Sequence, residues 1–127
     1  MNYLLDTHTV LWYMGNSPVL PSSTKKLIAS RNNDISICSI SLWEVAIKSN
    51  LGKLKTNLTF DELLAKIKNS DFGVLHIKNR HLKRLFGLPF IHKDPFDRLL
   101  IATALEENLT LITSDESIHK YDVPWIW

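Results

Sequence analysis

"DPFDRLLIATALEENLTLITSD", residues 94–115, holds a helix start, a helix and a strand in one run, and its two leading aspartates have different work to do. Asp94 suits a helix N-cap. Pro95 suits the first helical position, where its missing N–H would be unpaired anyway, and Asp97 can reach back in a variant of the capping box. Helical spacing puts Leu100, Ile101, Ala104 and Leu105 on the face that Asp97 heads. Asp97 therefore stands at the N-terminal tip of the buried side, whereas Asp94 lies before the helix. Asp94 is assigned mainly to capping and Asp97 to a crevice. The helix runs over 95–107, and "LTLIT" at 109–113 follows as a strand that ends just short of Asp115.

Outward from this stretch, short strands alternate with helices, the pattern of an α/β domain with a mainly parallel sheet. "NYLL" (2–5) is a strand, followed by Asp6-Thr7 and the helix-compatible "HTVLWYM", which Gly15-Asn16-Ser17-Pro18 breaks. Ser22 or Ser23 caps "STKKLIAS"; "ISICSI" (35–40) is a second strand; Ser41 opens the helix "SLWEVAIKSNL", which stops near Gly52. Thr59 or Asp61 caps "FDELLAKIKNS", Gly73 precedes a strand "VLHI", "NRHLKRLF" (79–86) is a basic helix, and "VPWIW" reads as a last strand.

The chain has 127 residues, enough for one domain with a real core. With 15 Lys plus Arg against 13 Asp plus Glu, the formal charge of +2 neither demands nor excludes a polyanionic partner. The lone Cys38, within "ISICSI", reads as a small buried hydrophobe and fits a reducing compartment. No leader pattern precedes "NYLL", and no run approaches the ~18 apolar residues of a membrane span. A soluble, cytoplasmic protein with no membrane partner is expected.

The acids fall at informative places. Asp6 directly follows the first strand and Asp115 follows "LTLIT", so both lie at carboxyl ends of strands, where open α/β sheets bind ligands. Glu44 belongs to a stripe of Ile40, Trp43, Ile47 and Leu51 at i, i+3, i+4 spacing, which turns it toward the sheet; a solvated i,i+4 pair with Lys48 is the competing reading. Asp6, Glu44, Asp97 and Asp115 are thus expected to converge. Crowded carboxylates raise one another's pKa, and a cation relieves the penalty. An all-oxygen donor set with no Cys or multi-His cluster favours Mg²⁺ or Mn²⁺ over zinc. Such a centre suits phosphoryl chemistry.

"YLLDTHTVLW", "SLWEVAIK", "DPFDRLLIATAL" and "LTLITSD", in this order and spacing, closely resemble the PIN-domain ribonucleases, in particular the VapC-type toxins of prokaryotic toxin–antitoxin pairs. The resemblance covers essentially the whole chain. It implies a Rossmann-like α/β/α sandwich and Mg²⁺- or Mn²⁺-dependent cleavage of RNA by activated water, leaving a 5′-phosphate and a 3′-hydroxyl. It also implies a homodimer built on early helices such as "TVLWYM", and a cognate antitoxin whose tail occupies the groove. By motif position, Asp6, Glu44 and Asp97 would ligate the principal ion, with Asp115 completing the site or holding a second. Thr113 and Ser114 match the family's approach to the last acid, where their hydroxyls orient a carboxylate or water; Thr7 is read the same way, and Asp94 supports the site through water.

Charge placement supplies candidate RNA contacts. Lys48, Lys53 and Lys55 lie beyond Glu44; Arg80, His81, Lys83 and Arg84 form a second cluster; His92, Lys93 and Arg98 flank Asp97, with Arg98 the best placed. A solvated helix face explains the second cluster equally well. Trp12, Trp43 and Trp125 sit at apolar positions that suit core or subunit contact better than base stacking. Two other classes compete: a catalytically inactive module whose acidic pocket takes a cation or a partner's arginine, and a phosphatase or receiver-like domain. The latter is disfavoured because no Gly-rich phosphate cradle is present.

Overall fold

A computed structural model describes residues 1–54 and 56–127; Lys55, a candidate RNA contact, lies outside the described residues. The chain runs β1 (Asn2–Leu5), α1 (Thr7–Met14), α2 (Ser22–Ala29), β2 (Asp34–Cys38), α3 (Ser39–Asn50), α4 (Phe60–Lys68), β3 (Gly73–Leu75), α5 (Asn79–Phe86), α6 (Pro95–Glu106), β4 (Thr110–Ile112), α7 (Glu116–His119) and β5 (Trp125–Ile126). The five strands form one sheet in the order β3-β2-β1-β4-β5, and every neighbouring pair is parallel. The expected α/β sandwich with a central parallel sheet is what the chain forms.

Strand alternation divides the core between two faces. Tyr3 and Leu5 of β1 point into one cluster with Ile35, Ile37, Val10, Leu11, Leu63 and Ile67, while Leu4 between them joins the other with Leu100, Ile101, Ala104, Leu111 and Ile118. α1, α2 and α4 cover the first face and α6 and α7 the second. The central strands are apolar almost throughout because both faces are covered. Leu4, Leu5, Ile37, Ile101, Leu111 and Ile112 are fully buried.

Several local expectations are revised. α2 is N-capped at Pro21 with no side-chain cap, so Ser22 and Ser23 lie inside its first turn. β2 ends at Cys38 and α3 starts at Ser39, earlier than Ser41, because Ile40 packs from the helix into the α6 face. Trp43 and Leu51, expected on the inward stripe of α3, are 59% and 61% exposed; the buried face is Ile40, Ser41, Glu44 and Val45. Trp125 is 45% exposed on the edge strand, so it too leaves the core, whereas Trp12 packs against the first cluster. Asp97 does not close a capping box: Asp94 alone caps α6, accepting from Phe96 N at 2.9 Å and Asp97 N at 3.1 Å. Thr59, by contrast, makes a full capping box with Glu62. α7 is not among the elements that the sequence predicts. Among the described residues no helix is long and apolar enough to cross a membrane.

Candidate active site

Topology selects the location. The chain moves outward from β1 to β2 and β3, then returns to place β4 on the other side of β1. The direction of winding switches between β1 and β4, and the crevice beyond their carboxyl ends is where such sheets take ligands. Asp6 leaves β1 at this point and Thr113-Ser114-Asp115 leave β4.

Asp6 caps α1, its Oδ1 accepting from Thr9 N at 2.8 Å, and the Thr113 hydroxyl donates to its Oδ2. The same Thr113 oxygen accepts from Asp115 N at 3.1 Å, so one buried threonine ties the first acid to the last. Asp115 caps α7 through Ser117 N at 2.8 Å. Three acids of the region, Asp6, Asp94 and Asp115, are therefore N-caps. Each sits where a helix offers unpaired N–H groups and the positive end of its dipole, which is how the fold tolerates so much negative charge in one place. The turn signal Asp115-Glu116-Ser117 is present in the sequence, and the capping role of Asp115 adds to the ligand role expected of it.

Glu44 is only 3% exposed. Thr7 Oγ1 donates to its Oε1 at 2.6 Å and lies 3.0 Å from Ser41 Oγ, and Lys48 Nζ meets Oε2 at 2.5 Å. Glu44 thus faces inward, as its stripe implies, and pairs with Lys48 from that buried position; the solvated face of the competing reading does not form. Burial opposes a charged Lys48, but the hydrogen bond to Glu44 and the nearby charges of Glu44, Asp94 and Asp97 outweigh it and hold the ammonium above its ordinary pKa.

Asp97 senses the whole cluster. Burial, followed by the charges of Asp94, Asp115, Glu44 and Asp6, pushes its carboxyl up to about 8. Asp6 is also raised, by burial that exceeds the opposing hydrogen bonds from Thr113 and Thr9. The charges of Asp6, Glu44 and Asp115 all reach Asp97. Their spacing is uneven, however. Among the described residues, the one group of three metal-ligand side chains whose donor atoms all lie within 4.8 Å of one another is His92, Asp94 and Asp97, with His92 Nε2 3.3 Å from Asp97 Oδ2. The sequence marks His92 only as a base flanking Asp97; its place five residues before that acid is the signal for this closer contact.

Ser114 is half-buried and outside the Thr113 network. Lys93 is exposed beside Asp94, and Lys53 and Lys83 are exposed as well. Arg98, expected to be the best-placed phosphate contact, is instead committed to the loop before α6. Its guanidinium donates to Pro89 O and Tyr121 Oη, both at 2.9 Å, and stacks 4.7 Å over Phe90. His81 leaves the basic cluster too: it is buried, its Nδ1 accepts from Lys78 N at 2.9 Å, and its Nε2 faces Glu107 at 2.7 Å. Arg80 pairs with Glu107, and Arg84 lies 3.9 Å from Glu106. An aromatic pair flanks the acids: exposed Trp43 meets Phe96 edge-on at 5.5 Å, with Lys48 Nζ 5.6 Å above the Phe96 ring.

Comparison with solved structures gives the same fold. VapBC2 from Rickettsia felis, bound to a DNA fragment from its promoter, matches at 20% identity over 99% of this chain and 98% of that one, with TM-score 0.72. DNA-bound VapBC from Salmonella typhimurium matches at 16% identity over 99% and 97%, TM-score 0.70. A toxin–antitoxin complex from Klebsiella pneumoniae matches at 20% over 98% and 96%, TM-score 0.62. No curated protein matches the chain. The sequence profile of the PIN domain matches residues 3–124, and with nearly its whole length inside that match the chain belongs to the PIN domain family.

Proposed function

We propose that this chain is a Mg²⁺- or Mn²⁺-dependent endoribonuclease and the toxin of a type II toxin–antitoxin pair. The observation that carries the reading is the gathering of acids at the sheet's switch point, where Asp6 and Asp115 share Thr113, Glu44 is buried, and donor atoms of Asp94 and Asp97 lie within 4.8 Å of each other. Carboxylates so crowded at a sheet's switch point suit a hard divalent ion, and oxygen donors dominate the set. Asp6, Glu44, Asp97 and Asp115 would hold it. When bound, such an ion supplies Lewis acidity and activates water for attack on phosphorus.

The chain's own groups prepare the site. Thr113 and Thr7 fix the rotamers of Asp6 and Glu44, and the capping bonds of Asp115 and Asp94 orient the other two edges. Lys48, which pairs with Glu44 Oε2, would be the side-chain cation at the edge of the centre available to a substrate phosphate. Lys93 adds an exposed positive charge on the α6 side. Trp43 and Phe96 offer a surface on which an unpaired base stacks next to the scissile phosphate.

The likeness of fold to VapBC complexes supports a cognate antitoxin as partner. The apolar surface of Leu82, Phe86 and Phe90, with Phe86 95% and Phe90 75% exposed, is of the kind that marks an interaction site, and we assign it to that partner. Homodimerisation would use Trp12, half-buried on α1 beside Trp127.

Expression in a bacterial cytoplasm tests the reading. Wild type is expected to arrest growth and to leave RNA ends at discrete positions, and Asp6→Asn to do neither. Equal toxicity of Asp6→Asn defeats the assignment, and intact RNA under wild type would favour a module that only binds.

A further inference from the structure

The mechanism above uses Asp97 but gives its neighbour His92 no role. The imidazole is partly buried, and its loop is fixed in place. Tyr121 Oη accepts from Ile91 N at 3.1 Å and His92 N at 2.9 Å, and Arg98 clamps the preceding Pro89 carbonyl. Nε2 is aimed at Asp97 Oδ2, 3.3 Å away. Donor atoms of His92, Asp94 and Asp97 all fall within 4.8 Å of one another, so small side-chain adjustments bring them inside the ~4.4 Å that can separate two ligands of one ion at bonds of about 2.0–2.2 Å. Asp94 uses Oδ1 for both of its capping bonds, which leaves Oδ2 for another partner.

We propose that His92 is a nitrogen ligand of the metal centre, joining Asp94 and Asp97, and that it makes the site select a first-row transition ion over Mg²⁺. The inference rests on the metal-dependent reading above and adds to it two ligands, His92 and Asp94, and a selectivity. The chemical ground is ligand softness. Mg²⁺ takes oxygen donors and keeps its waters, whereas imidazole strengthens binding along the series from Mn²⁺ to Cu²⁺. A histidine pre-positioned beside two carboxylates gives transition ions a bond that Mg²⁺ gains little from. An imidazole that merely hydrogen-bonds to Asp97 would orient the carboxylate without this preference.

The test uses purified full-length protein and Mn²⁺ alone as the probe. Pulsed electron paramagnetic resonance of the wild-type Mn²⁺ complex is expected to show modulation from a directly bonded ¹⁴N, shifted when histidine is ¹⁵N-labelled and absent in His92→Gln. By titration, His92→Gln should lose ~10–100-fold in Mn²⁺ affinity, a loss of the size that metal-site histidine environments control, while Mg²⁺ affinity stays within about threefold. A wild-type Mn²⁺ spectrum without bonded nitrogen overturns the proposal, whatever the variant does, as does an equal loss of both ions in His92→Gln. RNA cleavage with Mg²⁺ in the same preparation separates the two claims. Metal-dependent cleavage without a nitrogen signal removes only His92, whereas no metal-dependent cleavage removes the reading beneath it.

Discussion

Thr7 Oγ1 donates to Glu44 Oε1 at 2.6 Å, joining the first turn after β1 to the middle of α3. Both residues are buried, so the bond is not exchanged for water. Thr7→Val keeps the shape and deletes the donor. It is expected to cost about 1–3 kcal/mol, the penalty for a buried polar group left with fewer partners. Thr7→Ser should recover most of this. Urea unfolding of the two variants measures the difference; equal destabilisation would assign the effect to lost packing.

The raised carboxyls set a pH dependence for the metal-free protein. Asp97 moves from an ordinary 3.8 in the unfolded chain to about 8 in the fold, and Asp6 shifts in the same direction. Between these limits the folded state holds more protons than the unfolded state, so stability falls as pH rises from ~4 to ~8 and levels off above. Asp97→Asn should be more stable than wild type at pH 8 without metal, by a few kcal/mol at most on the scale of ~1.4 kcal/mol per pKa unit. Thermal melts across pH in chelator, compared with melts in Mn²⁺, measure it. A metal-free protein whose stability rises over this window contradicts the crowding of the acids.

Trp43 is 59% exposed and touches Phe96 edge-on, so replacing it should leave the fold intact. In an Asp6→Asn background, expected to bind without cleaving, Trp43→Ala is expected to weaken single-stranded RNA binding by ~1–3 kcal/mol, the value of one stacked base. Fluorescence anisotropy with a labelled oligonucleotide reads this directly. Unchanged affinity would give this surface to a protein partner.

Tyr121 Oη holds Ile91 N, His92 N and Arg98 at once. Tyr121→Phe strands both amides and should cost about 1–3 kcal/mol. Hydrogen exchange at Ile91 and His92 should quicken more than at core strands such as β1. Uniform acceleration would mean global destabilisation without a specific loosening of the loop.

The architecture was legible because it rests on local signals. Asp94-Pro95 announces α6, alternating apolar strands announce the sheet, and the positions of Asp6 and Asp115 at strand ends follow from that order. What escaped the sequence was rotation and long-range bonding. The apolar spacing of α3 placed Trp43 inward, but the helix is turned by the Thr7–Ser41–Glu44 hydrogen bonds, which join residues more than 30 apart. Arg98 and His81 looked like surface charges for RNA; Tyr121, Pro89 and Glu107 claim them, and no local pattern reveals such partners. Thr113 stands out in the sequence for its place before the last acid. That its single hydroxyl bridges Asp6 and Asp115 appears only once β1 and β4 lie side by side.

The central claim is that these acids hold a divalent ion that drives RNA hydrolysis. Its most direct test is incubation of purified wild type and Asp6→Asn with end-labelled RNA, in Mg²⁺ or Mn²⁺ and in excess chelator, with the product ends identified. Cleavage to 5′-phosphate and 3′-hydroxyl ends by wild type with metal, and by neither chelated wild type nor Asp6→Asn, is the predicted result. Cleavage that persists in chelator, or that Asp6→Asn performs equally well, would contradict it.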